Sequence, residues 1–131
     1  MKRTALHLRR HRRHDHTVVT AAGTIDRTTA LQLRSMLLEA IGRDGPYVVL
    51  DLGGVEFIDE IGLDALQRTA ARAVALGGHF RLAAPRPAIA ARLRDTGLDR
   101  MIGVYRTPVA AAEAPRRLGV IAAPGAYFSD G

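Results

Sequence analysis

Five segments of the chain have the apolar patterns of β-strands. Residues 4–9 alternate between apolar and polar side chains, as in a half-buried strand, and residues 17–22 form a β-branched, apolar run. Residues 47–52 are almost entirely apolar, which is typical of strands buried on both faces, so this segment is predicted to lie at the centre of a sheet. Residues 80–83 and 101–105 are the remaining strand candidates.

Two long segments place apolar residues at the three- and four-residue spacing of an amphipathic helix. The first begins after Thr28 or Thr29, either of which can cap its N-terminus, and Gly42 is predicted to end it. The second runs from about Gly62 to Leu76. The predicted inward-facing residues are Ala30, Leu33, Leu37, Ala40 and Ile41 in the first helix and Leu63, Leu66, Ala70, Ala73 and Val74 in the second.

Two shorter helices are predicted nearer the C-terminus. Pro87 suits the first turn of a helix that buries Ile89 and Leu93, and Pro108 opens an alanine-rich helix that Pro115 should interrupt. The predicted order is therefore ββαβαβαβα. Helices between successive strands require crossover connections, so the sequence predicts an α/β fold: a mixed, mostly parallel sheet of four to five strands with helices packed on it.

The length of 131 residues corresponds to one compact domain. We expect residues 17–118 to form this domain, residues 1–16 to form a basic leader, and residues 119–131 to form a loose tail. The absence of cysteine excludes disulfides and thiolate chemistry. No signal-peptide pattern and no apolar run of about 18 residues occurs, so a cytoplasmic protein without a membrane span is predicted.

The net charge of +6 is concentrated in the leader. Residues 1–16 contain six basic side chains and one acidic one, whereas the rest of the chain contains 13 basic and 12 acidic. The leader is either a strand or a flexible arm, and no aromatic residues interleave with its arginines, which argues against nucleic acid as a partner. Its four histidines lack regular metal-ligand spacing, so no metal site is predicted.

The motifs of several large enzyme classes are missing. The sequence contains no phosphate-binding loop, dinucleotide-binding glycine motif, nucleophile elbow or zinc helix. One carboxylate pair, Asp59 and Glu60, precedes a predicted helix, where acidic residues complement the positive helix N-terminus more simply than they serve as a catalytic pair. We therefore predict a non-enzymatic protein with no catalytic residues, no cofactor and no small-molecule substrate.

Residues 48–66 read VVLDLGGVEFIDEIGLDAL, a buried strand ending in aspartate and then a turn into a helix. This segment resembles the signature of STAS domains, in which the strand is followed by V-x-F-x-D-S-S-G-L. Residues 23–26 are similar to the family's G-x-[LI]-D, and residues 77–98 resemble its glycine turn, strand and following helix. The resemblance covers about residues 17–106 and is to STAS domains of the anti-anti-sigma-factor (anti-sigma-factor antagonist) type.

The resemblance implies a partner: an anti-sigma factor or a histidine-kinase-like serine kinase. In such domains the D-S-S-G turn lies at a helix N-terminus, where the kinase docks and phosphorylates the first serine, and phosphorylation releases the partner. Here Glu60 stands in place of the phosphorylated serine and Ile61 in place of the second, so binding without serine phosphorylation is expected. The predicted partner-binding turn comprises Asp26, Asp59, Glu60, Ile61, Gly62, Leu63 and Asp64.

The sequence is compatible with more than one role for several residues of the turn and of the second helix. Glu60 either mimics a phosphate and holds the domain in a non-binding state, or contacts the partner directly. Ile61 is an interface anchor or an isolated surface residue, and Thr69, predicted on the exposed side of the second helix, is an alternative phosphorylation site or a solvated threonine. Two other functions are compatible with the sequence: a structural STAS subunit of a transport or stress-signalling complex, and a nucleic-acid-binding protein that uses the basic leader. A weak homodimer is also compatible with the sequence.

Overall fold

A computed structural model describes residues 5–115 as a five-stranded sheet with four helices. The predicted tail at 119–131, the end of the predicted domain and residue 4 of the first predicted strand lie outside the described residues. The elements are β1 (Leu6–Arg13), β2 (His16–Ile25), α1 (Ala30–Asp44), β3 (Tyr47–Ile58), α2 (Glu60–Ala75), β4 (His79–Ala83), α3 (Pro87–Asp95), β5 (Val104–Tyr105) and α4 (Pro108–Glu113).

The strands lie in the order β1-β2-β3-β4-β5, with β3 at the centre. β1 pairs antiparallel with β2, and every other neighbouring pair is parallel. The prediction of an α/β fold with a mixed, mostly parallel sheet is thus confirmed, as is the central position of the apolar strand at 47–52. A single turn of 3₁₀ helix, Leu98–Arg100, precedes β5.

Alternation along the strands divides the apolar residues between two faces of the sheet. α1 and α2 cover one face and form the larger core with Leu33, Leu37 and Leu66, all of which are fully buried. α4 covers part of the other face, where a smaller cluster joins β2, β3 and β4. The smaller cluster consists of Val18, Val49, Ala83 and Ala111. Adjacent strand residues therefore serve two different layers.

Most of the residues predicted to face inward on α1 and α2 are buried, whereas some predicted helix ends are wrong. All five predicted inward residues of α1 are buried. Gly42 does not end α1, because a glycine with a helical backbone only weakens a helix; the helix continues to Asp44, and Gly45, with φ of 108°, follows it. α2 begins at Glu60 rather than Gly62, and Val74 is 66% exposed because it lies about 100° around the helix from buried Ala73.

Part of the basic leader, Leu6–Arg13, forms the edge strand β1, which pairs with β2 along its whole length. Arg12 donates from Nη1 to Thr17 Oγ1 at 2.7 Å and to the carbonyl oxygen of Asp44 at 3.3 Å. Arg10 Nη1 lies 3.6 Å from Glu39 Oε1 on α1. A cation near the last carbonyls of a helix is favourable, so these arginines help hold β1 against α1. Part of the leader's charge therefore has a structural role.

Three neighbouring strands begin with a polar aromatic cluster. His16 Nε2 lies 2.8 Å from His79 Nε2, and His16 Nδ1 lies 2.9 Å from Asp15 Oδ1. Tyr47 stands edge-on to the His79 ring, with centroids 5.0 Å apart. His16 is buried, so these contacts satisfy polar atoms that water does not reach. The cluster links the first residues of β2, β3 and β4.

Arg81 of β4 closes the C-terminal end of α4. Its buried guanidinium donates from Nη1 to the carbonyl oxygens of Ala111 and Ala114 and from Nη2 to that of Pro115, each at 2.8 Å. The same group lies 5.7 Å from the centroid of the Tyr105 ring. The last carbonyls of any helix lack backbone donors, and here a charged side chain supplies them. The short helix α4 therefore depends on an arginine from the sheet that it covers.

Replacing Arg81 should destabilise the domain. In an Arg81→Leu variant three carbonyl oxygens lose a charged donor, so we expect the free energy of unfolding to fall by about 3 kcal/mol. Urea denaturation followed by circular dichroism measures the change. Arg94→Leu, on the exposed side of α3, is the control and should change stability by less than about 0.5 kcal/mol. Equal stability of the two variants would contradict this role of Arg81.

Candidate functional site

The predicted turn lies where two parallel strands end side by side. Ile25 at the end of β2 pairs with Ile58 at the end of β3. Asp26 and Asp59 follow these residues directly, and the backbone N–H of Asp59 donates to the carbonyl oxygen of Ile25 at 3.0 Å. The structure therefore brings Asp26 together with the 59–64 segment at one end of the sheet, although helix α1 and strand β3 separate the two in sequence.

Asp59 holds the turn in place through both carboxylate oxygens. Oδ1 accepts from the backbone N–H of Gly62 at 2.8 Å, which makes Asp59 the N-cap of α2. Oδ2 accepts from the backbone N–H of Arg27, in the loop between β2 and α1, at 3.2 Å. An N-cap of this kind contributes about 1 kcal/mol. Asp59 thus fixes the start of α2 against the neighbouring loop.

Asp26 shapes that neighbouring loop. Its Oδ1 accepts from the backbone N–H of Thr28 at 2.9 Å and from the Thr28 hydroxyl at 2.6 Å. These bonds, with the Thr28 hydroxyl first among them, lower the pKa of Asp26. The carboxylate is held in its charged form at the surface. Thr29 occupies the N-cap position of α1 but makes no side-chain cap bond; its hydroxyl oxygen instead accepts from the backbone N–H of Asp26 at 2.9 Å, and the hydroxyl donates to the carbonyl oxygen of Thr24 at 2.8 Å.

Gly62 allows α2 to approach the strand ends closely. A Cβ atom on Gly62 would lie 2.7 Å from Ile25 Cγ2, 2.7 Å from Ile58 Cγ1 and 3.0 Å from the carbonyl oxygen of Ile25. The next residue, Leu63, is buried in the main core. Both residues are buried, so they anchor the helix from inside the domain.

The accessible part of the turn consists of three of the predicted residues. Glu60 is the first residue of α2 and is exposed, as is Asp64, whose Oδ2 accepts from Arg68 Nε at 2.6 Å. Ile61, the second residue of α2, is 50% exposed. The geometry thus separates a surface pair, Glu60 and Ile61, from the residues that position it.

Two exposed apolar residues at this end were not predicted from the sequence. Phe57, which pairs with Thr24 one residue before the strand ends, is 52% exposed, and Leu31, the second residue of α1, is 71% exposed. Their exposure could have been predicted, because both residues lie outside the inward-facing stripes of β3 and α1. We call Leu31, Phe57, Glu60 and Ile61 the turn surface, because all four lie at the carboxyl end of the parallel strands.

Thr69 is not on the exposed side of α2. It is fully buried, and its hydroxyl donates to the carbonyl oxygen of Ala65 at 2.8 Å. It follows Leu66 by three residues and precedes Ala73 by four, so it belongs to the inward stripe, where the small hydroxyl is satisfied by its own helix. The prediction of Thr69 as an accessible phosphorylation site is wrong.

Metal-ligating residues do not gather anywhere in the described part of the chain. No group of three or more histidine, cysteine, aspartate or glutamate residues within 5–115 could hold a metal ion. No helix in the same range is both long and apolar enough to cross a membrane.

Comparisons with known proteins agree with the fold. The family model for the STAS domain matches residues 7–111, a range that begins in β1 and ends in α4. An anti-sigma factor antagonist from Mycobacterium paratuberculosis is 29% identical, with a TM-score of 0.75, over 82% of this chain and 91% of that chain. No curated protein matches the sequence.

Two further solved structures are similar. An anti-sigma-factor antagonist (STAS) domain protein from Planctomyces limnophilus is 26% identical, with a TM-score of 0.72, over 80% of this chain and 94% of that chain. A variant of RsbS from Moorella thermoacetica is 28% identical, with a TM-score of 0.64, over 76% of this chain and 86% of that chain. The RsbS variant carries glutamate in place of a serine, as its designation states.

The close packing at Gly62 can be tested with a pair of alanine substitutions. Gly62→Ala should lower the free energy of unfolding by about 1–3 kcal/mol, because the new methyl group overlaps Ile25 and Ile58. Gly42→Ala is the matched control in α1, where a Cβ meets nothing within 4 Å, and should stabilise the protein by up to about 1 kcal/mol. Urea unfolding curves give both values. A Gly62→Ala variant as stable as wild type would rule out the close approach.

Proposed function

The chain belongs to the STAS domain family, and we propose that it is a regulatory binding module of the anti-sigma-factor antagonist type. In this proposal the turn at 59–63 engages an anti-sigma factor or a histidine-kinase-like serine kinase. The observation that carries the proposal is the exposed pair Glu60 and Ile61 on a helix start that Asp59 and Gly62 hold rigidly.

A rigid, partly apolar surface suits protein binding. The backbone of the turn is fixed before the partner arrives, so little conformational entropy is lost on association. Leu31, Phe57 and Ile61 are large apolar side chains exposed at one end of the domain. Exposed apolar groups beside a charged residue are common at interaction sites, where they act as anchors. These features support the turn surface as the docking surface.

The similar solved structures support the partner class. Two of them, from Mycobacterium paratuberculosis and Planctomyces limnophilus, are described as anti-sigma factor antagonists, at 29% and 26% identity. Each match spans most of both chains, so the resemblance extends over the domain rather than over a shared fragment. We extend the partner class to this chain on that basis.

Binding at this turn would proceed without serine phosphorylation. No serine or threonine lies between Val55 and Gln67. The next hydroxyl group along the chain, that of Thr69, is buried. Glu60 supplies about one negative charge at the helix N-terminus, compared with about 1.5–2 for a phosphoserine. Within residues 5–115 no hydrogen bond or ion pair engages the Glu60 carboxylate, so it is available to a cation on the partner. We therefore favour a direct contact over a phosphate mimic.

The proposed role requires no chemistry of this chain. A nucleotide would be held by the partner, because the sequence has no phosphate-binding loop and no thiol. The two anions of the turn are also accounted for structurally, since Asp59 caps α2 and Glu60 lies at the helix N-terminus. The protein would act by binding its partner and not by catalysing a reaction.

The role of Glu60 can be tested by substitution. Glu60→Ser should weaken binding to the cognate anti-sigma factor by about 1–3 kcal/mol, because a charge-assisted contact is lost. Glu60→Gln, which keeps the shape and removes the charge, should weaken binding to a similar degree. Isothermal titration calorimetry measures both. Mass spectrometry after incubation of wild-type protein with the partner kinase and ATP should find no phosphate in the 55–67 segment.

An increase in affinity on Glu60→Ser substitution would contradict the direct contact. If Glu60→Ser binds more tightly than wild type, and then becomes phosphorylated and dissociates when ATP is present, Glu60 is a phosphate mimic and the direct contact is refuted. If the anti-sigma factor binds neither form, and an ATPase transporter co-purifies instead, the antagonist role itself is refuted.

A further inference from the structure

A shallow, open groove lies between the outer faces of α1 and α2. The two helices pack side by side on the same face of the sheet. Each follows a parallel strand and begins at the same end of the sheet, so the helices run in the same direction from the turn surface. The groove is lined by Arg34, Leu38, Arg68, Ala71 and Arg72.

The groove is basic. Three arginines line it, and one carboxylate, that of Asp64, pairs with Arg68 at 2.6 Å and raises the pKa of Arg68. Neither Arg34 nor Arg72 forms an ion pair or a side-chain hydrogen bond in the part of the chain that the structure describes. The other nearby acid on α1, Glu39, is already engaged by arginines on either side of it. The groove therefore has uncompensated positive charge.

The groove has two apolar lining residues, Leu38 and Ala71, and Leu38 shares a stripe of α1 with Leu31 of the turn surface. Leu31 and Leu38 are seven residues apart on α1, so they lie on one face of the helix about 10 Å apart. Ala71 lines the opposite wall on α2, ten residues after Ile61. Arg34 lies between the two leucines on the same stripe. A stripe of alternating apolar and basic side chains, Leu31, Arg34 and Leu38, thus extends for about two helical turns from the turn surface.

We infer that this groove binds an acidic amphipathic helix of the protein partner. The inference rests on the proposed function and extends its docking surface along α1 and α2. A helix laid in a groove contributes apolar residues at three- and four-residue spacing, which would contact Leu38 and Ala71 in the groove and exposed Leu31 beyond it. Acidic residues beside that apolar face would pair with Arg34 and Arg72. The groove lining includes no aromatic side chain for stacking bases, so a protein is favoured over a nucleic acid.

The groove can be probed with synthetic peptides and the full-length protein. The first probe is a fluorescein-labelled helical peptide of about 16 residues, with leucines on one face and glutamates beside them. The second is the same peptide with lysine in place of glutamate. Fluorescence anisotropy should detect binding of the glutamate peptide that weakens as salt is raised, and no binding of the lysine peptide.

Charge reversal locates the binding. Arg34→Glu/Arg72→Glu should weaken binding of the glutamate peptide about tenfold or more. Arg94→Glu/Arg100→Glu makes the same charge change on the exposed surface of α3 and the following turn, and should leave the affinity unchanged. Circular dichroism checks that both variants are folded. Equal affinities for the two variants, or binding of the lysine peptide, would overturn the inference.

The cognate anti-sigma factor separates this inference from the proposed function. If both Glu60→Ser and Arg34→Glu/Arg72→Glu weaken its binding, the groove belongs to the docking surface. If Glu60→Ser alone weakens it, the groove inference fails and the proposed function stands. If labelled single-stranded DNA binds wild type and not the Arg34/Arg72 variant, while the glutamate peptide fails to bind, the groove is a nucleic-acid site and the inference is wrong.

Discussion

The structure depends most on the junction between the ends of β2 and β3. Asp59 joins this junction at three points, with its backbone N–H on Ile25, one carboxylate oxygen on the start of α2 and the other on the loop before α1. Gly62 lets α2 lie directly against the two strand ends. Two crossover connections are thereby held together, and Glu60 and Ile61 at the start of α2 take their positions from that contact.

The two ends of the sheet have different chemistry. At the carboxyl end the anchoring residues are buried or bonded, and Glu60 and Ile61 are left to solvent. At the other end polar side chains are used internally, as in the buried contact between His16 and His79. The arginines also differ in this way. Arg81 donates hydrogen bonds to carbonyl oxygens inside the domain, whereas the groove arginines lie at the surface. Charge that holds the fold together is thus separated from charge that is available to a partner.

Local pattern was enough to predict that these strands and helices exist and that the sheet is mostly parallel, because burial imposes periods of two and 3.6 residues on the sequence. It did not predict the strand ends, since β3 continues to Ile58, beyond the predicted 47–52. The turn was found through a motif that includes its structural residues, Asp59 and Gly62. Contacts made between distant elements left no such signal: Arg81 is one basic residue in an apolar strand, and its three carbonyl partners lie at least 30 residues away. Thr69 was misplaced because a hydroxyl can be satisfied within its own helix and so be buried.

In the proposed function, the partner binds at the carboxyl end of the sheet. Amide hydrogen exchange of the full-length protein, with and without the proposed anti-sigma-factor partner, can test this location. We expect slower exchange of the backbone amides of residues 26–31 and 59–63 in the complex, with no change at His16, Tyr47 and His79 at the opposite end. Protection confined to β1 or to the histidine end of the sheet, with the turn unchanged, would contradict it.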